Sequence, residues 1–410
     1  MNSLASNLRV AILDDAGFGS GKSGLFGKEL YSGLLADINE GLLGNVALRI
    51  NLGCLSSQQE TEPTGSRGVP ILRAFSDAAT VNKLRSLMRQ ATTDIAHANV
   101  VNPRYPRSII KAVKDLKVAL VTTVHNYDCL CPTGWATRLP ELKTCGDLGV
   151  QIHCPLCLWK EARSGTASRI RKLLDGFNRY AALRLLLKES DSIVVPSRAL
   201  ASRIEGEMGL AGLNVAYNPV PSELLKSEPF PGEGKTAAFA GRLTYEKGAH
   251  LLPELSDLMK GTRLHVMGKG PLERFVETQA KSRPNLVFHG FVSQEQKIDI
   301  FRRARAIVVP SLWFEAFGYS AAEALALGKP VIGFDIGGIG ELISRSGGGR
   351  VVKPFDLKEF ADSVEFVVGD AKGSRELGMK AKEFACNELS EGTFALKLRT
   401  IYAKTLSRRH

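Results

Sequence analysis

The feature that most limits what this chain can fold into is a rhythm that runs twice. Short runs of β-branched residues alternate with longer stretches of helical periodicity, the pattern of βαβ units around a parallel sheet. In the first half, 8–13, 46–50, 95–98, 118–124 and 192–195 read as strands, with helical patterns such as 24–38 and 108–116 between them. The stretch 217–235, YNPVPSELLKSEPFPGEGK, is rich in Pro, Gly and Ser and has no periodicity, so it reads as a linker. The rhythm then restarts, with strands at 236–240, 263–267, 286–289, 306–309 and 331–334 and helices at 248–259, 271–281, 294–303 and 319–327. Two doubly wound α/β domains in tandem place a ligand cleft between them, at the carboxyl ends of the strands. The final segment reads as a helix with Phe394, Leu396, Leu398, Ile401, Tyr402 and Leu406 at its apolar positions.

Composition narrows the function classes. At 44% hydrophobic and 23% charged residues, 410 residues can form two or three cored domains without staples. The net charge, 54 − 42 = +12, favours an anionic partner such as a phosphorylated substrate or an anionic membrane surface. The basic residues are scattered and form no nucleic-acid module, so nucleic acid is not an expected partner. Residues 1–10 lack the apolar core of a signal peptide, and no apolar run approaches the ~20 residues that span a bilayer. The expected location is cytoplasmic, with a peripheral contact at the inner face of the membrane as the alternative.

The strongest chemical signal is Glu315-Ala316-Phe317-Gly318-Tyr319-Ser-Ala-Ala-Glu323, which follows the strand at 306–309. Gly318 falls where a loop becomes a helix, so nearby backbone N–H groups suit a phosphate. Glu323, inside that helix, is a candidate acceptor for both hydroxyls of a ribose. Glu315, before it, lies on the other side of the phosphate position, where a sugar would sit. The bland alternative is an amphipathic helix with solvated glutamates. Upstream, GRLTYEKG at 241–248 supplies Arg242 and Lys247 to neutralise a diphosphate leaving group. Gly268 lies in a Gly-rich turn after another strand, and GGIGE at 337–341 follows a third.

Two features compete with this reading. Residues 16–23, AGFGSGKS, follow a strand and precede a helix, which fits a relaxed P-loop with Lys22 on a triphosphate. A P-loop NTPase or kinase is therefore an alternative function, but the candidate strands for the aspartate that would hold its Mg²⁺ lead elsewhere, 118–124 to His125 and 193–195 to Pro196 and Ser197. Five of the seven cysteines lie between 129 and 157. The preferred reading is a Cys-rich loop without metal, and a structural site from Cys131, Cys145, Cys154 and Cys157 is the alternative.

Taken in order, GRLTYEKG, V-x-G-x-G-P, FHGFV, VVPS, E-x7-E, LGKPVIG, GGIGELI and G-x-VV-x-P cover residues 237–354. In that order they resemble the GT-B retaining glycosyltransferases often called family 4. The TTVHN at 122–126, DSIVVPS at 191–197 and YNPV at 217–220 extend the resemblance into the first half. LCPTG at 130–134, with the later cysteines, is similar to a subgroup with a Cys-rich insertion.

The resemblance implies two Rossmann-like domains facing a central cleft. Residues 1–218 would be an acceptor-binding domain, 219–235 the linker, 236–389 the domain for the nucleotide sugar, and 390–410 a helix crossing back to the first domain. It implies retaining transfer from a UDP- or GDP-sugar to a hydroxyl acceptor, lipid-linked or anionic acceptors included, in glycan or glycoconjugate biosynthesis. His125, Arg242, Lys247 and Glu315 would be catalytic. Gly19, Gly21, Arg242, Lys247, Gly268, Glu315, Ala316, Phe317, Gly318, Tyr319 and Glu323 would bind the donor. No D-x-D occurs, so neither a catalytic metal nor a cofactor is expected. An inactive nucleotide-sugar-binding module with the same fold is a further alternative.

Overall fold

A computed structural model describes residues 8–14, 35, 37–43, 45–51, 78–99, 105–134, 136–138, 143–145, 154–161, 165–228 and 232–409. Gly19, Gly21 and the P-loop candidate at 16–23 lie outside the described residues, as does most of the helix expected at 24–38.

The first half builds a six-stranded sheet from β1 (Arg9–Asp14), β2 (Val46–Asn51), β3 (Ile95–Asn99), β4 (Ala119–Thr123), β7 (Ser192–Val195) and β8 (Asn214–Val215). Between β4 and β7, β5 (Thr137–Arg138) and β6 (Lys143–Thr144) form a small antiparallel ribbon. The large sheet has the order β2-β1-β3-β4-β7-β8, with every neighbouring pair parallel. The second half contributes β9 (Thr236–Ala240), β10 (Arg263–Met267), β11 (Leu286–Gly290), β12 (Ala306–Val309), β13 (Val331–Phe334) and β14 (Gly349–Val352). Their order is β11-β10-β9-β12-β13-β14, again all parallel. Numbered within its own half, that order is 3-2-1-4-5-6, the doubly wound arrangement of dinucleotide-binding domains. The order in which the chain adds strands reverses between β1 and β3 in one sheet and between β9 and β12 in the other, while all strands stay parallel. Ligands bind outside the carboxyl ends of strands at such reversals.

The strands form because both faces of each sheet are covered. β3, β4, β12 and β13 are buried along their whole length, as continuous apolar runs in parallel sheets require. Alternate residues of the second sheet go to opposite cores. Ala237, Phe239, Leu264, Val266, Val308 and Ile332 enter one, and Ala238, Met267, Ile307, Val309 and Val331 enter the other. Helix starts follow side-chain caps: Ser197, Asp356 and Ser390 each accept from a backbone N–H, and Ser293 with Gln296 forms a capping box.

Several elements differ from the sequence reading. The aperiodic 217–235 stretch contains a short helix, Ser222–Lys226, because Leu224 is drawn into the core of the second half. The helix expected at 248–259 starts as a 3₁₀ turn, Ala249–Leu251, and becomes α-helical over Leu252–Leu258. The final helix spans Glu391–Ser407. Its Phe394, Leu398, Ile401 and Tyr402 pack with Val10, Ile12, Ile95 and Val121 of the first sheet, and Leu406 lies against the same core. Leu396, one of the apolar positions of this helix, is 63% exposed, because it falls on the side opposite the core.

Tyr402 also carries a polar anchor. Its hydroxyl lies 2.7 Å from Nδ1 of His97 on β3, whose Nε2 lies 2.7 Å from Thr123 Oγ1. Burial, with a smaller contribution from the charge of His125, pushes His97 down to about 3. The unfolded chain therefore binds the proton first, and this site loses stability as pH falls from about 6.5 toward 3. Replacing Tyr402 by Phe would leave one buried ring nitrogen unpartnered. We expect a loss of about 1–3 kcal/mol in the unfolding of the first half. Scanning calorimetry of both proteins checks this, and an unchanged melting profile would contradict the anchoring role.

Candidate active site

At the carboxyl edge of the second sheet, loops are held together by backbone contacts that glycine alone permits. Gly268 has φ +144°, and a Cβ there would lie 1.9 Å from the carbonyl oxygen of Gly241. Gly248, at φ +71°, would place a Cβ 2.0 Å from the Pro310 oxygen, and Gly337, at φ +58°, one 2.6 Å from the Glu315 oxygen. Hydrogen bonds tie the same loops together. Leu243 N donates to Lys269 O at 3.0 Å, Leu312 N to Glu246 O at 2.9 Å, and Gly338 N to Glu315 O at 2.7 Å. The turns after β9, β10, β12 and β13 thus form one rigid rim at the β9/β12 reversal.

Two buried ion pairs sit on this rim. Glu315 Oε1 receives Lys247 Nζ at 2.5 Å and Ser311 Oγ at 2.7 Å. Burial pushes the Glu315 carboxyl up, but the Lys247 ammonium and the hydrogen bonds from Lys247 and Ser311 outweigh it and hold it below its ordinary range. Lys247 also stands 5.2 Å from the centre of the Trp313 ring. Glu323, in the helix Tyr319–Ala326, receives Lys297 Nζ at 2.7 Å. Here burial outweighs the lysine, and the carboxyl lies above its ordinary range. Between the two carboxylates, Gly318 at φ +97° precedes the first residue of the helix.

The structure therefore brings Lys247, Glu315, Gly318, Tyr319 and Glu323 to one edge. Arg242 is on the same rim with a half-exposed side chain, 3.4 Å from Glu246. Both expected diphosphate cations thus already face a carboxylate. Ala316 is half-buried, and the Phe317 ring belongs to the core beside Tyr217 and Tyr319, so Phe317 has its backbone to offer a ligand. His125, two residues past β4, is half-buried with its Nε2 2.5 Å from Asn99 Oδ1. Cys131, Cys145, Cys154 and Cys157 are all buried, with Cys131 Sγ 3.1 Å from Thr133 Oγ1. Among the described residues no group of three or more His, Cys, Asp or Glu is placed to hold a metal ion. Nor is any helix among them long and apolar enough to cross a membrane.

Three residues were not singled out as site residues from the sequence. Lys297 belongs to a helix 26 positions before its partner Glu323 and carries no motif of its own. Asn99 ends a strand 26 positions before His125. Glu341 was visible only as the end of GGIGE. Its carboxylate leaves the second half to accept from Arg198 N at 3.0 Å, Ala199 N at 2.7 Å and the Tyr217 hydroxyl at 2.6 Å. A carboxylate on the first N–H groups of the helix Arg198–Met208 satisfies donors that have no partner within the helix.

Comparison with known proteins bears on the family and the fold. Residues 222–384 match the family model described as Glycosyl transferases group 1. The chain is 26% identical to glycogen synthase of Mycobacterium tuberculosis over 323 residues, which is 75% of this chain and 68% of that protein. Among solved structures, sucrose-phosphate synthase from Thermosynechococcus elongatus aligns with a TM-score of 0.66 at 16% identity, over 98% of this chain and 100% of that one. Anabaena HepE in complex with UDP-glucose aligns with a TM-score of 0.61 at 17% identity, over 98% of this chain and 100% of that one. Two parallel-sheet domains with these likenesses define the GT-B fold. The chain is a GT-B glycosyltransferase.

The Lys247–Glu315 pair makes a stability prediction. Lys247→Met leaves a buried carboxylate without its cation, which should cost about 3–5 kcal/mol near neutral pH. The cost should shrink near pH 4, where the uncompensated Glu315 can protonate. Calorimetric melting of wild type and variant at the two pH values checks this. An equal deficit at both would contradict the ion-pair account.

Proposed function

We propose that this glycosyltransferase moves a sugar from a nucleotide diphosphate sugar, UDP- or GDP-linked, to a hydroxyl acceptor in glycan or glycoconjugate biosynthesis, with retention at the anomeric carbon. The observation that carries the donor assignment is the pair of buried Lys–Glu contacts, Lys247–Glu315 and Lys297–Glu323, on either side of Gly318 at the β9/β12 reversal. A ribose held at Glu323 puts the diphosphate against the N-terminus of the helix Tyr319–Ala326 and the sugar against Glu315. HepE was solved with UDP-glucose, which supports a donor of this class.

In this reading the second half, 236–389, holds the donor and the first half, 1–218, holds the acceptor, with 219–235 between them. Arg242 turns from Glu246 toward the diphosphate, and Lys247 stays between phosphate and Glu315. Their charge stabilises the leaving group as the glycosidic bond breaks. Glu315 holds hydroxyls of the sugar. Ala316, Phe317, Gly318 and Gly268 offer backbone contacts, and Tyr319 lines the same edge. His125 meets the reacting sugar from the first half. Gly19 and Gly21, outside the described residues, are donor-binding candidates on the family resemblance alone. Closure of the two halves excludes water before transfer. Retention rests on resemblance to family 4 and its subgroup with a Cys-rich insertion. The net charge of +12 suits an anionic or lipid-linked acceptor at the inner face of the membrane.

Two measurements test this reading. Glu323→Ala should weaken binding of the free nucleoside diphosphate by roughly 10- to 100-fold, the loss of a charged hydrogen bond of about 1.5–3 kcal/mol. Unchanged affinity by titration calorimetry would remove Glu323 from the site. Transfer should also survive EDTA, since the chain has no D-x-D and the cations and helix terminus take the metal's role. Activity abolished by chelation and restored by Mg²⁺ or Mn²⁺ would overturn the metal-free mechanism.

A further inference from the structure

One buried amide at the mouth of the first sheet has no role in the reading above. Asn99 is the last residue of β3 and is 3% exposed. It pairs with Thr123 in the β3–β4 ladder, so the chain leaving β4 carries His125 across the end of β3. This register brings His125 Nε2 to 2.5 Å from Asn99 Oδ1. An amide oxygen can accept a hydrogen bond and cannot donate one. The contact therefore requires the proton on Nε2, and a neutral ring then has its lone pair on Nδ1.

What backs this pair matters as much as the pair itself. His97 lies two residues earlier on the same face of β3, bonded through Nδ1 to Tyr402 and through Nε2 to Thr123. His97, Thr123 and Tyr402 are buried and uncharged at neutral pH. A carboxylate behind a histidine stabilises the imidazolium and makes the ring a proton acceptor, as in hydrolase triads. An amide in that position fixes the tautomer without favouring the cation.

The geometry points to Asn99 as a positioning residue for the transfer reaction: it accepts from His125 Nε2–H and so sets the tautomer and orientation of the ring that meets the reacting sugar. This rests on the reading of His125 as a residue that meets the reacting sugar.

The test uses the whole protein with ¹⁵N-labelled histidine, His125 being assigned by loss of its signals in His125→Gln. Long-range ¹H–¹⁵N correlation near pH 8 should show His125 with a protonated Nε2 and an unprotonated Nδ1. In Asn99→Ala the two nitrogen shifts should move toward each other. Turnover should fall about fivefold to tenfold, the loss of one neutral hydrogen bond, with KM for the donor within about twofold. Asn99→Asp keeps an acceptor in the same place, so it should restore the Nε2–H signature. A wild-type His125 protonated on Nδ1, or a pattern unmoved by Asn99→Ala, would overturn the tautomer assignment whatever the activity. A changed tautomer with unchanged turnover would overturn the positioning role. Full turnover in His125→Ala would instead overturn the reading of His125 and leave the tautomer result standing.

Discussion

The rim of the second sheet depends on backbones lying closer together than a side chain allows. The space a Cβ would need at Gly248, Gly268 and Gly337 is filled by carbonyl oxygens of Pro310, Gly241 and Glu315. Each glycine also has a positive φ, so any other residue would meet both a clash and a strained backbone. These contacts fix where Glu315 and Lys247 can be. Glu315 follows the strand end that Gly248 packs against, and its carbonyl is gripped by Gly337 and Gly338. A charged pair buried on such a rim has little freedom to relax, which is how a site holds charge ready for a leaving group. In the proposed reading a nucleotide would exchange partners with the groups that already face Arg242, Lys247 and Glu323.

The two halves are joined at places that bear on the same rim. The outgoing connection passes Val220 and the returning one passes Leu389, and the two are hydrogen-bonded at 2.9 Å. Nearby, Glu341 fastens the helix Gly337–Ser346 to the first turn of Arg198–Met208 and to Tyr217. Arg203 stacks 4.8 Å from the ring of Phe314, the residue before Glu315, and Tyr127 approaches the same ring at 5.8 Å. Movement of the first half is therefore felt directly at the loop that carries Glu315. The final helix adds a second tie, since its apolar face completes the core of the first sheet while the helix Ala371–Glu388 before it packs on the second.

Much of this was legible in the chain before folding, and the exceptions share a cause. The βα rhythm reports burial on both faces of a parallel sheet, so strand positions could be read from apolar runs alone. The E-x7-E spacing could be read because a loop, a glycine and a helix turn set it locally. β8 is a two-residue strand whose place is set by pairing with β7, and nothing local marks it. Lys297 and Asn99 carry no local signal because their partners lie 26 residues on, Glu323 in the helix after β12 and His125 in the segment after β4. Leu396 shows the converse: it shares the apolar character of its helical neighbours, yet the last helix turns it outward. Contacts set by period were visible, and contacts set by packing of distant elements were not.

The central claim is that the rim between Lys247 and Glu323 receives a nucleotide diphosphate sugar. The most direct measurement is to incubate the purified protein with a panel of UDP- and GDP-sugars and follow release of the nucleoside diphosphate. The account predicts that one donor is consumed by wild type and is spared when Lys247 or Glu323 is replaced by Ala. Hydrolysis of ATP or GTP with Mg²⁺, abolished by Lys22→Ala, while every nucleotide sugar stays intact, would contradict it.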